Sequence, residues 1–114
     1  MSKTLFEKII AREIPAAFVY EDELVAAFKD INPAAPAHAL LVPKKPIAGL
    51  AGAGAGDQQI LGHLMLKTVV VAERLGLKES GYRVVINSGR DAGEVIPHLH
   101  LHVLGGREFG WPPG

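Results

Sequence analysis

The chain has 114 residues, 48% of them hydrophobic and 21% charged, and its twelve Lys and Arg balance its twelve Asp and Glu. That is enough chain for one core and one domain over 1–114, with no charge excess to mark DNA, RNA or an anionic membrane as a partner. The lack of cysteine excludes a disulfide framework and thiolate metal sites. No signal or transit peptide and no apolar run of bilayer length is read, so a cytoplasmic location is expected.

Thr4 with Glu7 three residues on is a capping-box pattern, and Leu5, Phe6, Ile9 and Ile10 fall at helical spacing. A short helix is predicted over 5–11, stopped before Pro15. Residues 17–20 and 24–28 read as strands around the polar turn Glu21-Asp22-Glu23. Residues 30–38, punctuated by Pro33 and Pro36, read as a loop, and 39–42 as a short apolar strand. The Gly/Ala-rich stretch 49–56 lacks both G-x-G-x-x-G and a Gly-Lys-Ser/Thr ending, so it reads as a flexible connector rather than a phosphate loop. Asp57 is placed to cap the next helix, whose buried face carries Ile60, Leu61, Leu64, Thr68, Val71 and Leu75, and Gly76 to end it. Residues 82–86 are a strong strand pattern, 87–93 a turn-rich loop, and 97–104 a strand closed by Gly105-Gly106. Segregated helices with hairpin-linked strands predict an α+β fold with an antiparallel sheet and two helices.

The strand at 97–104 carries three of the five histidines, alternating with aliphatic residues. Alternation on a strand puts His98, His100 and His102 on one face and Leu99, Leu101 and Val103 on the other. The apolar set suits a core, and no packing argument requires the other. Three roles are open to the imidazoles: structural, metal-binding, or nucleophilic. The outer two rings on one straight strand stand about 13 Å apart. A single ion would therefore need ligands from elsewhere, such as His38 or Asp30. A neutral imidazole attacks phosphorus well and leaves well, provided its other nitrogen is held in the right tautomer. On that reading the central His100 is the nucleophile, with hydrogen-bond donors on both sides.

The run His98-Leu99-His100-Leu101-His102-Val103-Leu104 matches the histidine-triad pattern. Together with Phe28-Lys29-Asp30-Ile31-Asn32-Pro33, Ala35-Pro36-Ala37-His38, Val42-Pro43-Lys44-Lys45 and Trp111-Pro112-Pro113-Gly114, it resembles the histidine triad (HIT) family, in particular its HINT branch. The resemblance implies a homodimer with a continuous antiparallel sheet, the tail 105–114 of each subunit reaching toward the other's site. It implies a purine nucleoside phosphoramidase that hydrolyses the P–N bond of nucleoside 5′-monophosphate amidates through a nucleotidyl-histidine on His100, with no cofactor and no metal. His102 and Asn87 would contact phosphate, and His98 and His38 would complete the histidine cluster. Asp30 would bind the ribose hydroxyls, Phe28 and Ile31 would flank the base, Gly93, Glu94 and Val95 would lie against the phosphate, and Trp111 would approach a nucleotide site.

Each of these residues has an ordinary reading as well. Asp30 and Asn87 suit turns, and Phe28 and Ile31 suit a core. His63 reads as structural or interfacial, and Lys44-Lys45 as a solvated pair. The HINT branch usually carries glutamine and serine where this chain has Glu94 and Val95. Val95 has no hydroxyl, and Glu94 would add an acceptor-only negative charge near an anionic substrate if it faces inward. A lower or altered rate is therefore expected. The rival functions are dinucleoside polyphosphate hydrolysis and a nucleotide- or partner-binding module with weak residual activity.

Overall fold

The computed structural model describes residues 3–114. Helix α1 is Leu5–Ile10 and helix α2 is Gln58–Arg74. The strands are β1 Phe18–Glu21, β2 Val25–Lys29, β3 Ala37–Pro43, β4 Tyr82–Val85 and β5 Leu101–Gly105. They form one sheet in the order β1-β2-β3-β5-β4, with every neighbouring pair antiparallel. The expected α+β architecture with two helices is therefore present.

Six residues are too few to hold a helix in water, so α1 depends on its cap and its packing. Thr4 Oγ1 accepts the Glu7 N–H and Glu7 Oε1 accepts the Thr4 N–H, which completes the capping box. Phe6 and Ile9 are buried against Ala26, Phe28, Leu40 and Val42 on one face of the sheet. A fully buried side chain of this size is worth about 2–3 kcal/mol. Helix α2 covers the other face, where Leu64, Val71 and Ala72 join Val25, Ala27, Leu41, Leu101 and Val103. Strands β2 and β3 are buried on both faces, which is why they read as continuous apolar runs. Helix α2 ends in a Schellman motif. Gly76 takes a left-handed φ of +78°, and the Leu77 and Gly76 N–H groups donate to the carbonyls of Ala72 and Glu73.

Four expectations need correction. Asp57 sits just before α2, but its carboxylate accepts the Gly54 N–H, so it closes a 3-10 turn over Ala55–Asp57 instead of capping the helix. The connector 49–56 is correspondingly structured, with a second 3-10 turn at Leu50–Gly52. Strand β3 starts at Ala37, so His38 lies in the sheet and not in the preceding loop. The Asp30 N–H donates to the His38 carbonyl, extending the β2–β3 pairing past Lys29↔Ala39. Finally, β5 begins only at Leu101, so His98 and His100 precede the strand. The β3–β5 ladder stops at Leu41↔Leu101. Two residues further, the facing position on β3 is Pro43, which has no N–H to continue the pairing.

Candidate active site

The face of the sheet under α1 holds a cavity of about 280 Å³, lined by apolar side chains and by Asp30, His100 and His102. Sheet alternation brings His38 and Leu40 of β3 to this face together with His102, which pairs with Leu40. Phe6 lies edge-on to His98 and His100, with ring centroids 5.8 and 4.9 Å away. His100 and His102 are 5.1 Å apart by the same measure.

Hydrogen-bond partners fix the state of each ring. His98 is fully buried, its Nε2 2.8 Å from the Pro43 carbonyl and its Nδ1 3.0 Å from Thr4 Oγ1. The carbonyl can only accept, so His98 carries its proton on Nε2 and accepts at Nδ1. His100 Nδ1 lies 2.7 Å from the His98 carbonyl and must donate, which leaves Nε2 as a bare lone pair. His38 Nδ1 accepts the Ala34 N–H, so its proton is on Nε2, which donates to His102 Nδ1 at 2.9 Å. His102 must then carry its own proton on Nε2. The cavity therefore has one imidazole with a free lone pair beside one with a free N–H.

Burial keeps the supporting rings neutral. It lowers His98 and His38 from the usual histidine range, with Asp30 pulling His38 weakly the other way. His102 is pushed down to about 4, first by burial and then by electrostatic repulsion from its histidine neighbours His100 and His38.

The other expected residues are distributed unevenly. Phe28 is 2% exposed and serves both the core and the cavity wall, whereas Ile31 is 87% exposed at the rim, so it is not core. Asp30 caps the turn with one oxygen, Oδ1, which accepts the Asn32 N–H, while Oδ2 faces His38 Nε2 at 3.5 Å. Both readings of Asp30 thus have an oxygen to rest on. Continuing the β4–β5 register past Val85↔His102 sets Asn87 opposite His100, outside the cavity lining. Gly93 takes the left-handed φ of +84° that ends a 3-10 turn at Arg90–Ala92. Glu94 is folded back onto its own loop: Oε1 accepts the Gly89 N–H, and the carboxylate passes so close to Gly49 that a Cβ there would meet it at 2.6 Å. Val95 is 86% exposed and Trp111 84%, and neither lines the cavity. Phe6, Ile14 and Ile96 do line it. Sequence reasoning placed Phe6 on a helix but had no signal for which sheet face that helix covers. His63 bonds Asp22 Oδ2 at 2.7 Å, tying α2 to the β1–β2 turn, as a structural histidine does.

Asp30, His38 and His102 offer donor atoms that all lie within 4.8 Å of one another, close enough to raise the metal question. The donor set does not fit an ion. His38 Nε2 and His102 Nδ1 are 2.9 Å apart with a proton between them. Two imidazole ligands of tetrahedral zinc stand roughly 3.3 Å apart with no proton on either nitrogen. Binding there would break the bond that orients His102.

A family model described as the HIT domain matches residues 11–109. A HIT-like protein of Synechocystis is 58% identical over 111 residues, covering 97% of this chain and 96% of its own length. A 14 kDa zinc-binding protein of Zea mays is 52% identical over 115 residues, covering 99% and 89%. Among solved structures, a HIT family hydrolase from Legionella pneumophila superposes with a TM-score of 0.94 at 44% identity, covering 98% of this chain and 100% of that one. A histidine triad nucleotide-binding protein from Candida albicans does so at 0.82 and 32%, covering 96% and 83%. With the triad, the five-stranded sheet and the matched span in agreement, the chain belongs to the HIT domain family.

Proposed function

We propose that this protein is a cytoplasmic purine nucleoside phosphoramidase. The observation that supports it best is the state of His100: its Nδ1–H is tied to the His98 carbonyl, so Nε2 keeps its lone pair in the cavity. Attack by that nitrogen on the phosphorus of a nucleoside 5′-monophosphate amidate forms an N–P bond and breaks the bond to the amine, which departs with a proton taken from solvent water. Water then adds to phosphorus, releasing the monophosphate and restoring His100. The His102 Nε2–H is available to a phosphoryl oxygen, and His38 holds His102 in that tautomer; Asn87, opposite His100 in the continued register, is the second residue assigned to the phosphate. Asp30 Oδ2 is an acceptor for ribose hydroxyls, and Phe28 and Ile31 offer apolar surface to a base.

The test is incubation with adenosine 5′-monophosphoramidate, followed by AMP release and by mass spectrometry of the quenched protein. Release of AMP with a transient adduct of one adenylyl group is expected. Absence of turnover would leave a nucleotide-binding module as the reading.

Val95 supplies no hydroxyl to the phosphate loop, and its 86% exposure means a replacement disturbs no packing. Val95→Ser should raise kcat, by about tenfold if the new hydroxyl reaches the developing charge, since a well-placed donor is worth ~10²–10³. Glu94→Gln keeps the Oε1 that accepts the Gly89 N–H and should change little. An unchanged kcat for Val95→Ser would remove this account of the loop.

The same reading makes the protein a homodimer. On α2, Met65, Leu66 and Val69 are 51%, 71% and 47% exposed along one helical stripe, and β4 leaves one edge of the sheet unpaired. The tail is pinned to β4, where Arg83 donates to the Gly110 carbonyl and stacks on Phe109, and Trp111 is 84% exposed. Pairing of two β4 edges would continue the sheet and carry each tail toward the partner's cavity. The double change Leu66→Glu and Val69→Glu should convert the dimer to monomer in sedimentation experiments and lower turnover. A wild-type chain already monomeric at micromolar concentration would overturn the dimer.

A further inference from the structure

Thr4 lies 94 residues from His98 in sequence, yet its hydroxyl touches the ring at 3.0 Å. That hydroxyl has one proton. It accepts the Glu7 N–H, so it cannot donate there, and the Thr4 N–H is already taken by Glu7 Oε1. The proton therefore goes to His98 Nδ1, whose opposite nitrogen donates to the Pro43 carbonyl. His98 is clamped from both sides in one tautomer, inside a site with no exposure to solvent. Its carbonyl is the acceptor that holds His100 Nδ1–H. The same capped turn carries Phe6, which packs edge-on against both rings.

We propose that Thr4 is a positioning residue for His100: it caps α1, closes the second side of the His98 clamp, and so anchors the segment whose His98 carbonyl keeps the proton of His100 on Nδ1 and its Nε2 bare. The catalytic half of this rests on His100 being the nucleophile; the tautomer half does not. A serine would do the same work. A valine, of the same shape, would leave His98 Nδ1 buried without a partner. An aspartate would cap α1 as well as threonine does but could only accept, so His98 would have to take a second proton to meet it. Cap and tautomer are thereby separable in one residue.

The experiment uses the full chain labelled with ¹⁵N-histidine and reads the ring nitrogen shifts of His98 and His100, with kcat and KM for adenosine 5′-monophosphoramidate measured alongside. In wild type and Thr4→Ser, His98 should show protonated Nε2 and bare Nδ1, and His100 the reverse. In Thr4→Val, His100 should become a mixture of tautomers. In Thr4→Asp, His98 should show two protonated nitrogens at neutral pH although α1 stays capped. Both of these variants should lose about tenfold or more in kcat with KM changed little, since a wrong tautomer strikes chemistry rather than binding. Wild-type shifts in Thr4→Asp would overturn the proposal, as would a shift at His98 that leaves His100 unaltered, or a fall in kcat with unaltered shifts. If wild type fails to turn over the phosphoramidate, the reaction assignment falls, and the nitrogen shifts alone decide whether Thr4 sets the two rings.

Discussion

Replacing His100 by alanine should reduce phosphoramidate turnover by about 10⁴-fold or more, because the proposed attacking atom is itself removed. The fold should tolerate the change. His100 is only partly buried, and its one hydrogen bond is donated to a backbone carbonyl that water can reach through the cavity left behind. The adenylyl adduct should vanish from quenched samples while AMP still binds, since the ribose and base contacts proposed here come from other residues. His102→Ala should cost less, as it removes a donor and leaves the proposed nucleophile. Turnover surviving in His100→Ala would move the nucleophile elsewhere, and His102 Nε2 could not inherit the role while it carries a proton.

The second large effect is on stability in acid. The folded chain holds His102 down near 4, against an ordinary value of 6.5, chiefly by burial and then by its histidine neighbours. The unfolded chain therefore binds a proton at this residue that the folded chain refuses. Stability rises with pH wherever the unfolded state holds more protons, so it is present above pH 6.5 and is lost as pH falls through the window from 6.5 to about 4. His102 alone contributes of the order of 2–3 kcal/mol to that loss. His98 and His38 are shifted in the same direction and add to it. The carboxylates lowered by hydrogen bonding, such as Glu21 beside Arg12 and Lys44, lose their contribution only at lower pH. Urea unfolding at pH 7 and pH 4.5 should separate the two groups, and His102→Gln should flatten the wild-type slope. A flat wild-type profile across that interval would mean that these rings are charged in the folded protein.

Signals that act within a few residues were readable. The Thr4–Glu7 box, the stop at Gly76 and the inward set Leu99, Leu101 and Val103 are all where pattern placed them. The histidine row was only half readable. Alternation assumes that a strand continues, and where β5 begins depends on Pro43, more than fifty residues earlier. His38 was assigned to a loop because two prolines precede it, whereas the sheet resumes immediately after Pro36. Asp57 has the right residue type in the right place for a cap, but the turn before it captured the carboxylate first. The triad itself announced a site. What no local pattern could show is that its first member faces away from the cavity and serves as a support.

The sheet order has a consequence for how the molecule is made. Strand β5 is the last to be synthesised, yet it lies between β3 and β4. Until residue 105 has left the ribosome, β3 and β4 have no common neighbour and each shows an open edge. His102 and His100 arrive on or beside that same last strand, and the links His38–His102 and Thr4–His98 span 64 and 94 residues. The cavity is consequently among the last features to form, and contacts of such long range make the closing step slow relative to the local helices and hairpins. A chain cut short before β5 would have α2 and the β1–β2–β3 meander, but no centre and no chemistry.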